Sequence, residues 1–181
     1  DITLDLKGFS IISAIEDAVF TNNGTLKITD TSEGTTGKIS GSYNKTIYNK
    51  QGATLELNAG AITRKLSKDN VVYNEGTLNV AGANISQPEN KGYAIYNTET
   101  ATLNITSGQI TRGEKTIYNI GNVNIIDGTI GNDIENTGSG NLKIENMTCT
   151  GKITNSENAS INMAGGTIQS IGYAIRNTST N

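Results

Sequence analysis

The stretch GYAIYNTETATLNITSGQI, Gly92 to Ile110, decides the fold. The corner Ile95-Tyr96-Asn97 is followed by an alternating strand, Thr102-Leu103-Asn104-Ile105, and then by Gly108 and Ile110. The next segment, TIYNIGNVNIIDGTI from Thr116 to Ile130, repeats the same plan. Alternation places Leu103 and Ile105 on one face of a strand, with Thr102 and Asn104 on the other. Internal repetition at this spacing is the mark of a solenoid.

Working outward, the first apolar position recurs at Leu4, Leu26, Leu55, Leu78, Leu103, Val123, Leu142 and Ile161. The second lies two residues on, at Leu6, Ile28, Leu57, Val80, Ile105, Ile125, Ile144 and Met163. A third follows a glycine-bearing corner, at Ile11, Ile39, Ile62, Ile85, Ile110, Ile130, Cys149 and Ile168. A fourth precedes the corner asparagine, at Val19, Ile47, Val72, Ile95, Ile117, Ile134, Ile153 and Ile175. The asparagines are Asn22, Asn49, Asn74, Asn97, Asn119, Asn136, Asn155 and Asn177. The pattern predicts an all-β parallel β-helix of about eight coils, roughly 22 residues each, as one domain over residues 1–181. One coil cannot bury its own apolar face, so stacking must supply the core and the backbone hydrogen bonds. The asparagines are expected to form an inward stack, each amide bonding the next.

Two alternatives compete locally. Asn22-Asn23-Gly24 could make a hairpin turn, but the other corners lack that dipeptide while keeping the register. The segment from Ile11 to Phe20 also suits a short helix.

Composition agrees with an all-β reading. Hydrophobic residues make up 34% of the 181 residues and charged residues only 17%, with 21 Gly and one Pro. The net charge of −3 lacks the clustered cations of a nucleic-acid surface. A single cysteine, Cys149, permits no internal disulfide and occupies a core position otherwise held by Ile. No run of residues approaches a membrane span, and no cofactor motif occurs.

The motifs ITLDLKGFSI (Ile2–Ile11), GTLNV (Gly76–Val80), ATLNI (Ala101–Ile105), GGTI (Gly165–Ile168) and AIYN (Ala94–Asn97) resemble right-handed parallel β-helix repeats of bacterial cell-surface adhesins. They are most similar to Asn/Thr/Ile-rich surface proteins of Gram-positive bacteria; FTNN and GGTI are also similar to motifs of chlamydial polymorphic outer-membrane proteins. The resemblance covers nearly the whole chain. It implies a right-handed coil with a pectin lyase-like fold, an extracellular location, and a segment of a longer rod stacked on the parent chain at either end.

Function is less legible than fold. β-Helix enzymes that attack acidic polysaccharides use clustered carboxylates with Arg, Lys or Ca²⁺. Here His is absent and Arg64, Arg112 and Arg176 fall in different coils. Asp5 and Glu56 share an outward ladder interrupted by Lys27, so no catalytic pair and no metal cage is expected. Thr29–Gly37 carries Asp30 and Glu33 and reads as a solvated insertion. The outward row Thr3, Thr25, Thr54, Thr77 and Thr102 invites comparison with ice binders, but mixed charges on the adjacent row spoil a flat face.

The sharper feature is an outward aromatic column: Phe20, Tyr48, Tyr73, Tyr96 and Tyr118, followed by Glu135, Thr154 and Arg176. It reads either as a platform for a glycan or a host protein or as an exterior stacking ladder. Beside it, the gap between third and fourth positions is widest from Ile62 to Val72 and from Ile85 to Ile95. Insertions on one side of a solenoid mark its binding face. Tyr48, Tyr73, Tyr96 and Tyr118, with Arg64 and Lys65 of the first of these loops, are therefore the candidate ligand-binding residues. The expected protein is a non-catalytic adhesin, or alternatively a structural stalk.

Overall fold

The computed structural model describes all residues except Ile15, Ser42, Tyr43, Leu66, Ser67, Lys68, Glu89, Asn90 and Asn181. Stacked parallel strands form a β-solenoid of about seven turns with a period of about 23 residues. Eight strand positions, from Ile2–Asp5 to Ser160–Met163, line up along the larger sheet. Counting strand positions gives eight and counting complete turns gives seven. The larger sheet has 14 strands and carries the first three apolar columns; an 8-stranded sheet carries the fourth. No helix occurs among the described residues, and Ser10–Ile12 is a strand, which removes the helical alternative.

Most of the register follows the sequence columns. Ile39, Ile62, Ile85, Ile110, Ile130 and Cys149 pair in succession, as do Ile47, Val72, Ile95, Ile117, Ile134 and Ile153. Their side chains form one continuous core. Cys149 is buried there.

The asparagine ladder is built as expected. Each Nδ2 donates to the Oδ1 of the next coil at 2.7–2.9 Å, from Asn22 to Asn177. Asn49, Asn74, Asn97, Asn119 and Asn136 have no solvent exposure. The second amide hydrogen reaches a backbone carbonyl, as in the 3.1 Å bond from Asn97 to Asn122 O. A buried amide is tolerable only when its donors and acceptor are matched, and the ladder matches them while the backbone turns.

The first coil differs from expectation in two places. Ile2, not Leu4, pairs with Leu26, and Leu4 pairs with Ile28. Thr3 and Asp5 consequently face Lys27 and Thr29. A slip of two residues keeps every side chain on its own face, so alternation cannot detect it. Leu6 lies beyond the strand and turns into the core at the Lys7-Gly8 corner, where both residues have positive φ. At the other correction, Phe20 pairs with Ile47 and Thr21 with Tyr48. Phe20 thus packs against the core and leaves the aromatic column. Its distance from Asn22 equals that of Ile47 from Asn49, which is the signal that identifies its column.

In Thr29–Gly37, Thr31 and residues 33–36 are exposed, as expected of a solvated insertion, but Asp30 pins the loop to the core. Asp30 is only 4% exposed. Its carboxylate accepts hydrogen bonds from the Gly8 N–H (2.8 Å), the Ser32 hydroxyl (2.8 Å) and the Gly37 N–H. Asp5 clasps the same loop from outside, accepting from the Thr31 hydroxyl at 2.6 Å and the Thr31 N–H at 3.0 Å. Burial pushes the Asp30 carboxyl up, but the Gly37, Ser32 and Gly8 hydrogen bonds outweigh it and hold it below 3.8. For Asp5 the Thr31 hydroxyl and N–H dominate, again below 3.8. A carboxyl depressed in the folded state stabilises the fold above its unfolded pKa, and that contribution is lost as pH falls through the folded value. Amide exchange in residues 1–37 is therefore expected to accelerate below about pH 4, before exchange in the central coils. Asp30→Asn should produce the same local loosening at neutral pH, leaving protection around Ile95 and Ile117 unchanged.

Candidate functional site

Strand pairing fixes the site. Tyr48, Tyr73, Tyr96, Tyr118, Glu135, Thr154 and Arg176 occupy one outward column of the 8-stranded sheet. Parallel strands repeat at about 4.8 Å, close to the preferred separation of stacked rings. Tyr73 and Tyr96 stack with centroids 5.1 Å apart and planes within 6°. Tyr96 and Tyr118 stack at 5.0 Å and 13°. Tyr48 meets Tyr73 edge-on, at 5.6 Å and 80°.

Tyr93, which the repeat pattern leaves out, joins the cluster at 4.9 Å from Tyr118 and 5.8 Å from Tyr96. It lies two residues before a core Ile, in register with Lys115. The sequence signal is that Lys115 relation; no column of tyrosines leads to it.

This packing decides what the tyrosines can offer. The rings of Tyr73, Tyr96 and Tyr118 cover one another's faces. With those faces covered by neighbouring rings, all five tyrosines are half-buried. The ridge is not a row of open plates for sugar rings.

Charge is distributed unevenly along it. The Lys45 ammonium lies 5.1 Å from the Tyr48 centroid and 5.2 Å from that of Tyr73, and the Lys50 ammonium lies 5.8 Å from Tyr48. The Tyr48 hydroxyl donates to Glu75 at 2.8 Å. At the other end stands Glu135. To the side, Asp133 bridges Lys115 at 3.2 Å and Lys152 at 3.6 Å. Burial raises the Asp133 carboxyl, but the Lys152 N–H and the Lys115 ammonium outweigh it and keep it ionised.

The phenols of Tyr48, Tyr73, Tyr93 and Tyr118 are pushed upward. For Tyr48 the hydrogen bond to Glu75 is the main cause, followed by burial. For Tyr73, Tyr93 and Tyr118 burial leads, with nearby carboxylates and tyrosines adding to it.

The two basic candidates separate. Lys65 is exposed at the end of the strand Ala61–Arg64, its N–H bonded to Gly41 O at 2.9 Å. Arg64 is 2% exposed. Its Nη1 donates to Asn70 O at 3.0 Å, and burial lowers its pKa against the opposing charge of Asp69. Gln87, fully buried, reaches Asp69 O from the next coil at 2.6 Å. Asn70 Oδ1 in turn accepts the Tyr93 N–H at 3.1 Å. Arg64 thus holds the loop from beneath and is not part of the outer surface. Alternation carries that signal, because Ile62 points inward and Arg64 lies two residues on. The middles of both wide loops, residues 66–68 and 89–90, lie outside the described residues.

On the larger sheet the outward amides of Asn79, Asn104 and Asn124 bond one another at 2.9 Å. These amides are spent on a second, external ladder, next to Glu56. No group of three or more His, Cys, Asp or Glu side chains suited to a metal occurs among the described residues. No family model, curated protein or solved structure matches the chain.

Proposed function

We propose that this chain is a non-catalytic, adhesin-like segment of a bacterial surface rod, which engages a glycan or a protein along the tyrosine ridge. The observation that carries the reading is the ridge itself. Four successive coils align phenol edges in one line, with ammonium groups at one end and a carboxylate at the other. Tyr combines apolar area with a hydrogen-bonding handle at small entropic cost, which suits recognition. The extracellular, cell-surface setting belongs to the same proposal and rests on the resemblance of the repeats.

A second reading, a purely structural stalk, is favoured by the ring faces being consumed in stacking. Binding of the purified chain to a broad glycan array and to matrix proteins separates the two. Tyr73→Ala with Tyr96→Ala removes four ring contacts, each worth about 0.5–1.5 kcal/mol, and should destabilise the rod by about 2–6 kcal/mol. The adhesin reading requires that binding also disappears in this variant at temperatures where it remains folded. Destabilisation with every ligand interaction unchanged leaves the stalk.

A further inference from the structure

We infer that the two ends of the solenoid are complementary faces, and that the last coil of one copy of this chain docks beneath the first coil of a second copy, head to tail. The inference stands apart from the tyrosine ridge. It extends the coil-to-coil contact that the fold already repeats.

The N-terminal end carries the corner of an internal coil. Asn22 and Gly24 repeat the short corner of Asn119 and Gly121. Asn119 Oδ1 accepts twice, from the Gly121 N–H at 3.1 Å and from Asn97 Nδ2 of the preceding coil at 2.8 Å. Asn22 Oδ1 accepts from the Gly24 N–H at 3.2 Å, and its other acceptor position is the one that a preceding coil fills. Gly76 and Gly121 have to be glycine, because a Cβ would collide with carbonyl oxygens of the coil beneath, those of Lys50 and Ala53 or of Thr98 and Ala101. Gly24 is glycine in the same corner, although nothing lies within 4 Å of its Cβ position and its φ is not positive. A docked coil gives this glycine the reason that Gly76 and Gly121 have.

The C-terminal end supplies the counterparts. Every rung of the asparagine ladder runs one way, from an Nδ2 to the Oδ1 of the following coil. Asn177 Oδ1 accepts from Asn155 at 2.9 Å, and among the described residues no acceptor meets Asn177 Nδ2. That donor and the acceptor position of Asn22 make one more rung. Setting Asn177 of one copy under Asn22 of the next brings the other columns into line. Ile175 meets Phe20, Ile168 meets Ile11 and Ile161 meets Ile2. In the outward rows Arg176 meets Thr21 and Asn162 meets Thr3, so these rows oppose no like charges.

Both ends also have surface to cover. Among the described residues, the exposed large apolar side chains gather there: Ile2, Phe9 and Ile12 in the first coil, Ile171, Tyr173 and Ile175 in the last, with Ile126 alone between. Strand edges with unpaired N–H and C=O groups are covered by adding a further strand in register. A head-to-tail contact does not close on itself, so each docking leaves one end of either kind and the assembly stays open.

Sedimentation of the chain, without added residues at either end and at concentrations up to about 0.1 mM, tests this. The expected result is an open series of oligomers that lengthens with concentration. Two variants each block one end. Gly24→Ala puts a Cβ where the Thr178 carbonyl of the docked coil would lie. Asn177→Asp keeps the acceptor for Asn155, removes the donor and sets a charge against Asn22 Oδ1; the exposure of Asn177 lets the chain fold around it. Each variant alone should self-associate about tenfold more weakly or worse. An equimolar mixture should form a one-to-one dimer and grow no further, because each variant keeps the end that the other lacks. A monomeric wild type, a wild type that stops at a dimer, variants that assemble as wild type does, or a mixture that stays monomeric would each overturn the inference. Binding of glycans or matrix proteins through the ridge is read separately, so either proposal can fail without the other.

Discussion

Asn97→Asp is expected to destabilise the fold by about 3–5 kcal/mol at neutral pH, the range for an uncompensated buried charge. Asn97 has no solvent exposure. Its Oδ1 accepts from Asn74 Nδ2 at 2.8 Å, and its Nδ2 donates to Asn119 Oδ1 at 2.8 Å and Asn122 O at 3.1 Å. A carboxylate keeps the acceptor and loses both donors. It then places negative charge against two oxygens that cannot donate. Burial raises the pKa of such a group, so stability should recover as pH falls from 7 toward 5 and the new carboxyl protonates. Asn97→Ala, which leaves the unpaired oxygens without the charge, should cost less and show no such recovery. Urea denaturation of both variants at pH 7 and pH 5 measures this.

Gly121→Ala is expected to cost about 3 kcal/mol or more, for a different reason. The φ of Gly121 is not in the left-handed region, so conformational freedom is not the issue. A Cβ there would collide with the carbonyl oxygen of Thr98 and lie 2.5 Å from that of Ala101. Neither oxygen is free to retreat: Thr98 O accepts from Ala101 N at 3.1 Å, and Ala101 O from Asn122 N at 2.9 Å. Gly24 is the matched control. It also stands between a ladder asparagine and a first-column strand, but nothing lies within 4 Å of its Cβ position. Gly24→Ala should be close to neutral under the same denaturation.

The corners show how much of this was legible. Asn22, Asn74 and Asn119 are followed two residues later by Gly24, Gly76 and Gly121, whereas Asn49, Asn97 and Asn155 are followed four residues later by Ala53, Ala101 and Ala159. At Gly76 and Gly121 the short corner runs close over the preceding coil and has no room for a Cβ, whereas at Gly24 nothing lies beneath it. The longer corner closes on itself, as in the bond from Ala53 N to Lys50 O at 3.0 Å, and admits Ala. Column spacing therefore reads directly from the chain wherever the asparagine and the core residues are present together.

It fails where parity is uninformative. A two-residue slip left the first coil looking correct, and Asp30 looked solvated because two of its partners, Gly8 and Gly37, donate from the backbone. Arg64 was legible by alternation but was outweighed by its basic neighbours. The orientation of the tyrosine rings was not legible at all. Register places them one above another, yet only the packing shows that the faces of Tyr73, Tyr96 and Tyr118 are turned to each other.

With the faces spent in stacking, the tyrosine hydroxyls are the polar handle left to recognition, and they test the central claim. Tyr73→Phe with Tyr96→Phe keeps the stack and removes the two hydroxyls. Binding to glycans and matrix proteins should be measured beside thermal stability for this variant and the wild type. The ridge as a recognition surface predicts unchanged stability with binding lost. Binding that survives intact in the phenylalanine variant would contradict it, and no binding by the wild type would assign the chain to the stalk.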